Sequence, residues 1–245
     1  MKYRLIIFGI FIFIFSMLVF DAWIFSLVFG AERPAEKTII LNFDDGPRPA
    51  VLKELLPLLE KYNVQANFFV EGDMVSANKE LIKKMHGAGH RIENHSWGHE
   101  NFKKLFREKG AEAVKLNLNK ADDAIFKATG RHPRFFRPPL WEINADIEQI
   151  VKSLGYAIMK LDDPDINTMD YADTSKHRSP EVLIERVKNF VAKRETQNKF
   201  KHVLVFHELP IAVKALKILI PYIQAQGYKF VRLDEKSSQG EKNGF

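Results

Sequence analysis

Thr38-Ile39-Ile40-Leu41-Asn42-Phe43-Asp44-Asp45-Gly46-Pro47 begins as a strand and ends as a turn. Its first six residues are largely apolar and β-branched, the composition of a β-strand. Asp, Gly and Pro all favour turn geometry, so an isolated Asp-Asp-Gly-Pro reads as a turn and nothing more. The preceding strand changes that reading, because carboxylates at the carboxyl end of a parallel strand sit where α/β enzymes place their chemistry.

A second stretch follows the same logic. His90-Arg91-Ile92-Glu93 reads as a short strand after Gly89, delivering Asn94, His95 and His99 to the same rim. Two histidines four apart share one face of a helical turn, or a short loop, and can bind one cation together. The two stretches can therefore assemble an Asp-His-His metal site with a second carboxylate beside it, the makings of a hydrolase.

The rest of the chain supplies a scaffold. Short apolar runs near Ile39, Phe68, Arg91, Phe136, Ile158, Leu204 and Phe230 alternate with stretches of helical periodicity, which implies a parallel α/β fold. From Ala111 to Thr129 the residues Val114, Leu118, Ala121 and Ile125 recur at helical steps, and Gly130 can end that helix. Pro180 after Ser179 marks another helix start. Gly89, Gly155 and Gly227 fall where a helix hands over to a strand. About seven such units are enough to close a barrel with a missing or distorted strand.

Length and composition set the outer limits. A chain of 245 residues suits one enzyme-sized α/β domain. With 46% hydrophobic and 28% charged residues and a mean hydropathy of -0.22, it is no polytopic membrane protein. The stretch from Leu5 to Phe29 differs from the rest, being almost wholly apolar after Lys2 and Arg4. It approaches the roughly 20 residues that span a bilayer and exceeds the usual signal-peptide core of about 7–15. Asp21 interrupts it, and Val28-Phe29-Gly30-Ala31 offers small residues for cleavage, so residues 1–30 read as a signal peptide or a membrane anchor. The two basic residues put its amino end in the cytoplasm and send the domain outward, to an extracytoplasmic location that is membrane-anchored, periplasmic or secreted. Residues 31–36 read as a linker and the polar residues 236–245 as a tail.

The chain has no cysteine, hence no disulfides, which also argues against a bacterial lipoprotein. Its net charge of +6 suits anionic surroundings such as cell-wall polymers or headgroups. The cations are spread along helices without aromatic interleaving, which argues against nucleic-acid binding.

The two opening stretches resemble the first two motifs of the NodB-type polysaccharide deacetylases, carbohydrate esterase family 4, which read Thr-Phe-Asp-Asp-Gly-Pro and His-Ser/Thr-x-x-His. Three later segments fit in the same order: Arg137-Pro138-Pro139-Leu140, the acidic stretch Asp162 to Asp170, and Val203-Leu204-Val205-Phe206-His207-Glu208. Connecting text in Val64 to Val70 and Ala88 to His95 is similar too, and the likeness runs from about Lys37 to Glu235. The resemblance implies a distorted (β/α) barrel of about seven parallel strands over residues 37–235, the NodB homology domain.

It also implies roles. Asp45, His95 and His99 would hold a divalent metal, most plausibly zinc, with cobalt, nickel or manganese also suited to His and Asp ligands. Asp44 would be the general base, Arg137 would orient it, and the Leu140 backbone N–H would complete an oxyanion hole. His207 would protonate the departing amine, tuned by a carboxylate for which Asp165 is chosen over Asp163. Tyr171 would replace the tryptophan of an acetyl pocket, and Val205 would touch the acetyl methyl. Two departures stand out: Leu140 occupies a position that is commonly aromatic, with Trp141 immediately after it, and the fourth motif is irregular.

The substrate implied is an N-acetylated extracytoplasmic glycan, first the N-acetylglucosamine of peptidoglycan, then chitin or an exopolysaccharide. An acetylxylan esterase on the same site and a non-catalytic glycan-binding protein are the alternatives. A cyclic-amide hydrolase of similar fold ranks below them because of the export segment.

Overall fold

Strand β1 (Thr38–Gly46) is the centre of the molecule. In this computed structural model, which describes residues 36–160, 165–171 and 179–233, it is buried along most of its length. Residues 1–30 and the tail 236–245 lie outside the described residues, as do Asp162 and Asp163. Among the described residues no helix is long and apolar enough to cross a membrane.

After β1 come α1 (Pro49–Lys61), β2 (Asn67–Val70), α2 (Gly72–Ala77), α3 (Lys79–Gly87), β3 (Arg91–Asn94), α4 (Phe102–Thr129) and β4 (Phe135–Phe136). A short 3-10 turn (Pro139–Trp141) leads to α5 (Ala145–Ser153), β5 (Ala157–Ile158), β6 (Asp165–Asn167), α6 (Pro180–Glu195), β7 (Lys201–His207), α7 (Pro210–Ala225) and β8 (Lys229–Val231). The strands run in the order β5-β4-β3-β2-β1-β7-β6, and every pairing is parallel. Strand β1 shares one edge between two partners. Thr38 to Ile40 pair with β8, and Asn42 to Gly46 pair with β2.

The seven apolar runs read from the sequence each fall on a strand, and β6 is an addition. Its three residues, Asp-Ile-Asn, are too few and too polar to carry a periodic signal. The helix from Ala111 to Thr129 is the second part of α4, separated from the first at Gly110, whose φ of 75° breaks the helical path. Gly130 caps α4 in the left-handed region, and Ser179 caps α6 by accepting from the Val182 amide. Gly89, Gly155 and Gly227 take positive φ between helix and strand, a conformation costly to any side chain.

Phe135 on β4 and Val203 and Val205 on β7 belong to one buried cluster with Ile40, Phe69 and Leu233. In a flat sheet β4 and β7 would lie about 19 Å apart, so the shared cluster requires the sheet to curl into a distorted barrel. Among the described residues β5 and β6 are its unpaired edges. The larger apolar cluster lies outside the barrel, where Leu41, Phe43, Phe68, Leu204 and Phe206 meet Leu52, Leu55, Leu216 and Leu219 of α1 and α7.

Inside the barrel, above the apolar floor, two asparagines form a polar step. Asn67 donates to Asn42 Oδ1 at 2.9 Å and accepts from the Leu233 amide at 3.0 Å. Beyond them, at the carboxyl ends of the strands, the interior becomes charged.

Candidate active site

Consecutive side chains on a regular strand point to opposite faces, so Asp44 and Asp45 should not serve one site. The backbone resolves the conflict. Register runs from Phe43↔Phe68 to Gly46↔Val70, three steps on β1 against two on β2, and the extra residue is a bulge. Asp45 sits there at φ 61°, in the left-handed region, which turns its carboxylate back toward the interior side occupied by Asp44.

Glu208 fastens this turn. It is fully buried directly after β7, accepts from the Arg48 amide at 2.6 Å, and its own amide donates to the Asp44 carbonyl at 3.2 Å. Gly46 packs so closely that a Cβ there would lie 1.9 Å from Glu208 Oε1. A side chain there would have to displace the Glu208 carboxylate from the Arg48 amide. Burial pushes the Glu208 carboxyl up to about 8, against the pull of the Arg48 amide and charge.

The histidines stand on a loop rather than a helical turn. Asn94 Oδ1 accepts from the Ser96 amide at 2.8 Å, and Ser96 Oγ accepts from the His99 amide at 2.9 Å. With Ser96 and His99 both at positive φ, this turn folds the two rings to a centroid separation of 5.2 Å. Each presents Nε2 at 3.2 Å from Asp45 Oδ1.

The donor set fits a metal. His95 Nδ1 lies 2.8 Å from the Arg137 carbonyl, which can only accept, so the proton is on Nδ1 and the Nε2 lone pair faces Asp45. A lone pair against a carboxylate is repulsive unless the ring is protonated or a cation lies between them. Two ligands about 2.0–2.1 Å from a tetrahedral ion are separated by about 3.3 Å, close to the spacing seen here. With the imidazolium forms as partners, burial alone would raise the Asp45 carboxyl, but His95 and His99 outweigh it and hold the group well below the usual carboxylate range. The bond to Asp45 in turn raises His99 above 6.5 despite burial.

Asp44 and Arg137 form the charged floor. Arg137 is fully buried and donates from Nη1 to Asp44 Oδ1 at 2.7 Å, with its guanidinium over Phe69 at 4.1 Å. Among the described residues its Nε and Nη2 have no hydrogen-bond partner, a cost borne at the rim of the barrel. Beyond Arg137, Pro138 and Pro139 carry no N–H, so Leu140 bears the next amide N–H of the chain. Leu140 stands at φ 56° and is 58% exposed.

His207, register partner of Asp44 across β1 and β7, faces the same interior. Its carboxylate partner is Asp170, not Asp165. Asp170 Oδ1 lies 2.7 Å from His207 Nδ1, and Oδ2 accepts from the His207 amide at 2.8 Å. Asp165 is level with Val203 on β7, four residues before His207, or about 13 Å along the strand. Thr168 ties the intervening turn to the Val205 carbonyl through both its amide and its hydroxyl, and Met169 takes φ 55°, which delivers Asp170 to the histidine. The sequence signal for Asp170 was its neighbour, an acid followed by the aromatic Tyr171. Burial opposes charge on His207, yet the bond and charge of Asp170, with Asp44 and Asp45, hold it above its ordinary value.

Tyr171 meets His207 edge-on at 4.7 Å and is half exposed. Val205 needs correction as an acetyl contact. It lies one pleat repeat below His207 and is fully buried among the interior apolar residues, exposing nothing to a ligand.

Residues 31–159 match the sequence profile of the family described as polysaccharide deacetylase. The chain is 30% identical over 208 residues to the peptidoglycan-N-acetylglucosamine deacetylase PgdA of Listeria monocytogenes, across 83% of this chain and 40% of that protein. It is 31% identical over 211 residues to the peptidoglycan-N-acetylmuramic acid deacetylase PdaC of Bacillus subtilis, across 85% of this chain and 41% of that protein. It thus spans about two fifths of the length of these curated relatives. Its fold is similar to a family 4 acetyl xylan esterase from Clostridium thermocellum solved with a cobalt ion, at a TM-score of 0.67 and 27% identity over 80% of this chain and 88% of that one.

Proposed function

The chain belongs to the polysaccharide deacetylase family, and on that premise we propose that it hydrolyses N-acetyl groups of an extracytoplasmic glycan, foremost the N-acetylglucosamine of peptidoglycan, releasing acetate. The observation that carries this reading is the convergence of Asp44, Asp45, His95, His99, Arg137 and His207 on one rim of the barrel. The names of the curated relatives and the apolar stretch from Leu5 to Phe29 support the substrate and the location.

Asp45, His95 and His99 would hold a divalent cation, zinc first, and the chemistry it would supply there is that of a Lewis acid, lowering the pKa of a water and polarising the acetyl carbonyl. Asp44 takes the proton of the attacking water as its oxygen bonds to the carbonyl carbon, and Arg137 holds that carboxylate in place. The Leu140 N–H donates to the oxyanion. His207, with Nδ1–H bonded to Asp170, gives its Nε2 proton to the sugar nitrogen as the C–N bond breaks. Acetate and a free amine result.

An ester at the same carbonyl would pass through the same tetrahedral geometry, and the likeness to an acetyl xylan esterase keeps that reaction as the second reading. Acetate release from peptidoglycan, chitin oligomers and acetylated xylan, with zinc or cobalt and an Asp44→Asn control, separates the two. Acetate from an aminoglycan, and only with the unsubstituted protein, is the expected result. No acetate from any of them despite bound metal would sink the proposal in favour of a binding role.

A further inference from the structure

A cleft of about 500 Å3 opens outward from Asp45 and His207 toward the head of α7. Its shelf is apolar, made by Tyr171, Leu209, Pro210 and Ile211, and two cations, Arg48 and Lys214, stand at its edge. Arg48 is anchored there, because its Nε donates to the Asp45 carbonyl at 3.0 Å while its side chain stays 42% exposed. Lys214 is exposed one helical turn after Pro210 and Ile211, on their face of α7. Among the described residues the acids in the same wall are engaged: Asp45 faces the histidine pair and lies 4.0 Å from Arg48 Nη2, and Asp170 holds His207. Among the described residues the acid whose charge meets Lys214 is Glu181, exposed in the first turn of α6.

A neutral sugar offers hydroxyls and amides, which call for acceptors as well as donors. Two cations over an aliphatic shelf call instead for an anion carried on a small apolar group. We propose that this cleft is a subsite for a carboxylate-bearing sugar adjoining the N-acetyl sugar that is hydrolysed, an inference that rests on the deacetylase reading. Arg48 and Lys214 select glycans in which an acidic sugar neighbours the reacting one, through KM and not through the chemical step.

The test compares three glycans: peptide-free peptidoglycan strands, the same strands with their carboxyls converted to methylamides, and neutral chitin oligomers. Lys214→Ala should raise KM on the carboxylated strands about threefold to fivefold, and Lys214→Glu about tenfold, with kcat and the chitin KM unchanged. Methylamide conversion should impose the same loss on the unsubstituted protein, and about 0.5 M salt should erase the difference. An oligomer of uronic acids that inhibits acetate release with the same Lys214 dependence would identify a general carboxylate subsite rather than one for an ether-linked acid. Equal effects on charged and neutral glycans, or none on either, would overturn the subsite. Calorimetric binding of the three glycans to the Asp44→Asn protein reads the same ratios without turnover. If no glycan is deacetylated, the activity falls while this ratio still decides the subsite.

Discussion

The two faces of the barrel sheet share one backbone and have opposite compositions. On the outer face, Ile39, Leu41 and Phe43 of β1 and Leu204 and Phe206 of β7 are apolar from end to end and pack against helices. On the inner face, the alternate residues Ile40, Asn42 and Asp44 pass from apolar to polar to charged within a single strand, and on β7 the apolar Val203 and Val205 give way to His207. The outer face holds the fold together, and the inner face gives up apolar contact at one end to keep charges in a fixed, partly dry arrangement. The period of two lets one segment do both.

If this division holds, Asp44→Asn should lower kcat by about 10²–10⁴ while metal stays bound, as acetate release and metal analysis would show. His95→Ala should lose the metal altogether, and unchanged metal content would remove it from the ligand set. Leu204→Ala on the outer face should cost about 2–5 kcal/mol in urea unfolding and leave the rate per folded molecule intact. A lost rate there would break the comparison.

Two pH experiments sharpen it. His207 must be protonated to act, so kcat/KM should fall as pH rises through its raised pKa, and Asp170→Asn should move that alkaline limb to lower pH while Asp165→Asn leaves it in place. Glu208 binds its proton more tightly folded than unfolded. Its contribution to stability is therefore fully present below 4.5 and is lost as pH rises toward about 8. Glu208→Gln should flatten that decline in urea midpoints measured between roughly pH 5 and 8. The smallest effect belongs to Lys217→Ala, which removes an exposed pair with Glu54 at 3.1 Å and should change stability by less than about 1 kcal/mol.

What could be read in the sequence followed from period and punctuation. The apolar runs, the glycines between helix and strand and the Ser179-Pro180 start each have a local cause, and each is found in the fold. Asp165 failed where local causes ran out. The stretch 162–170 holds four aspartates, and which of them reaches His207 depends on the bond from Thr168 to a carbonyl on β7 and on a left-handed Met169, neither written in spacing. Glu208 escaped notice because a glutamate after a histidine looks solvated until the turn at Gly46 is seen pressed against it.

The split edge of β1 bears on how the chain comes to be folded. Thr38 pairs with Lys201 and again with Lys229, so the first strand of the domain finds two of its three neighbours only after nearly all the later sequence exists. Such distant pairing slows folding and leaves a central strand open to wrong partners meanwhile. Asp44 and His207 are opposite each other across that late pairing. A chain stopped short of β7 would carry the aspartates and both loop histidines, yet it would lack the acid, the clamp at Gly46 and the neighbour that holds the first strand straight, and so would be sticky before it could be active.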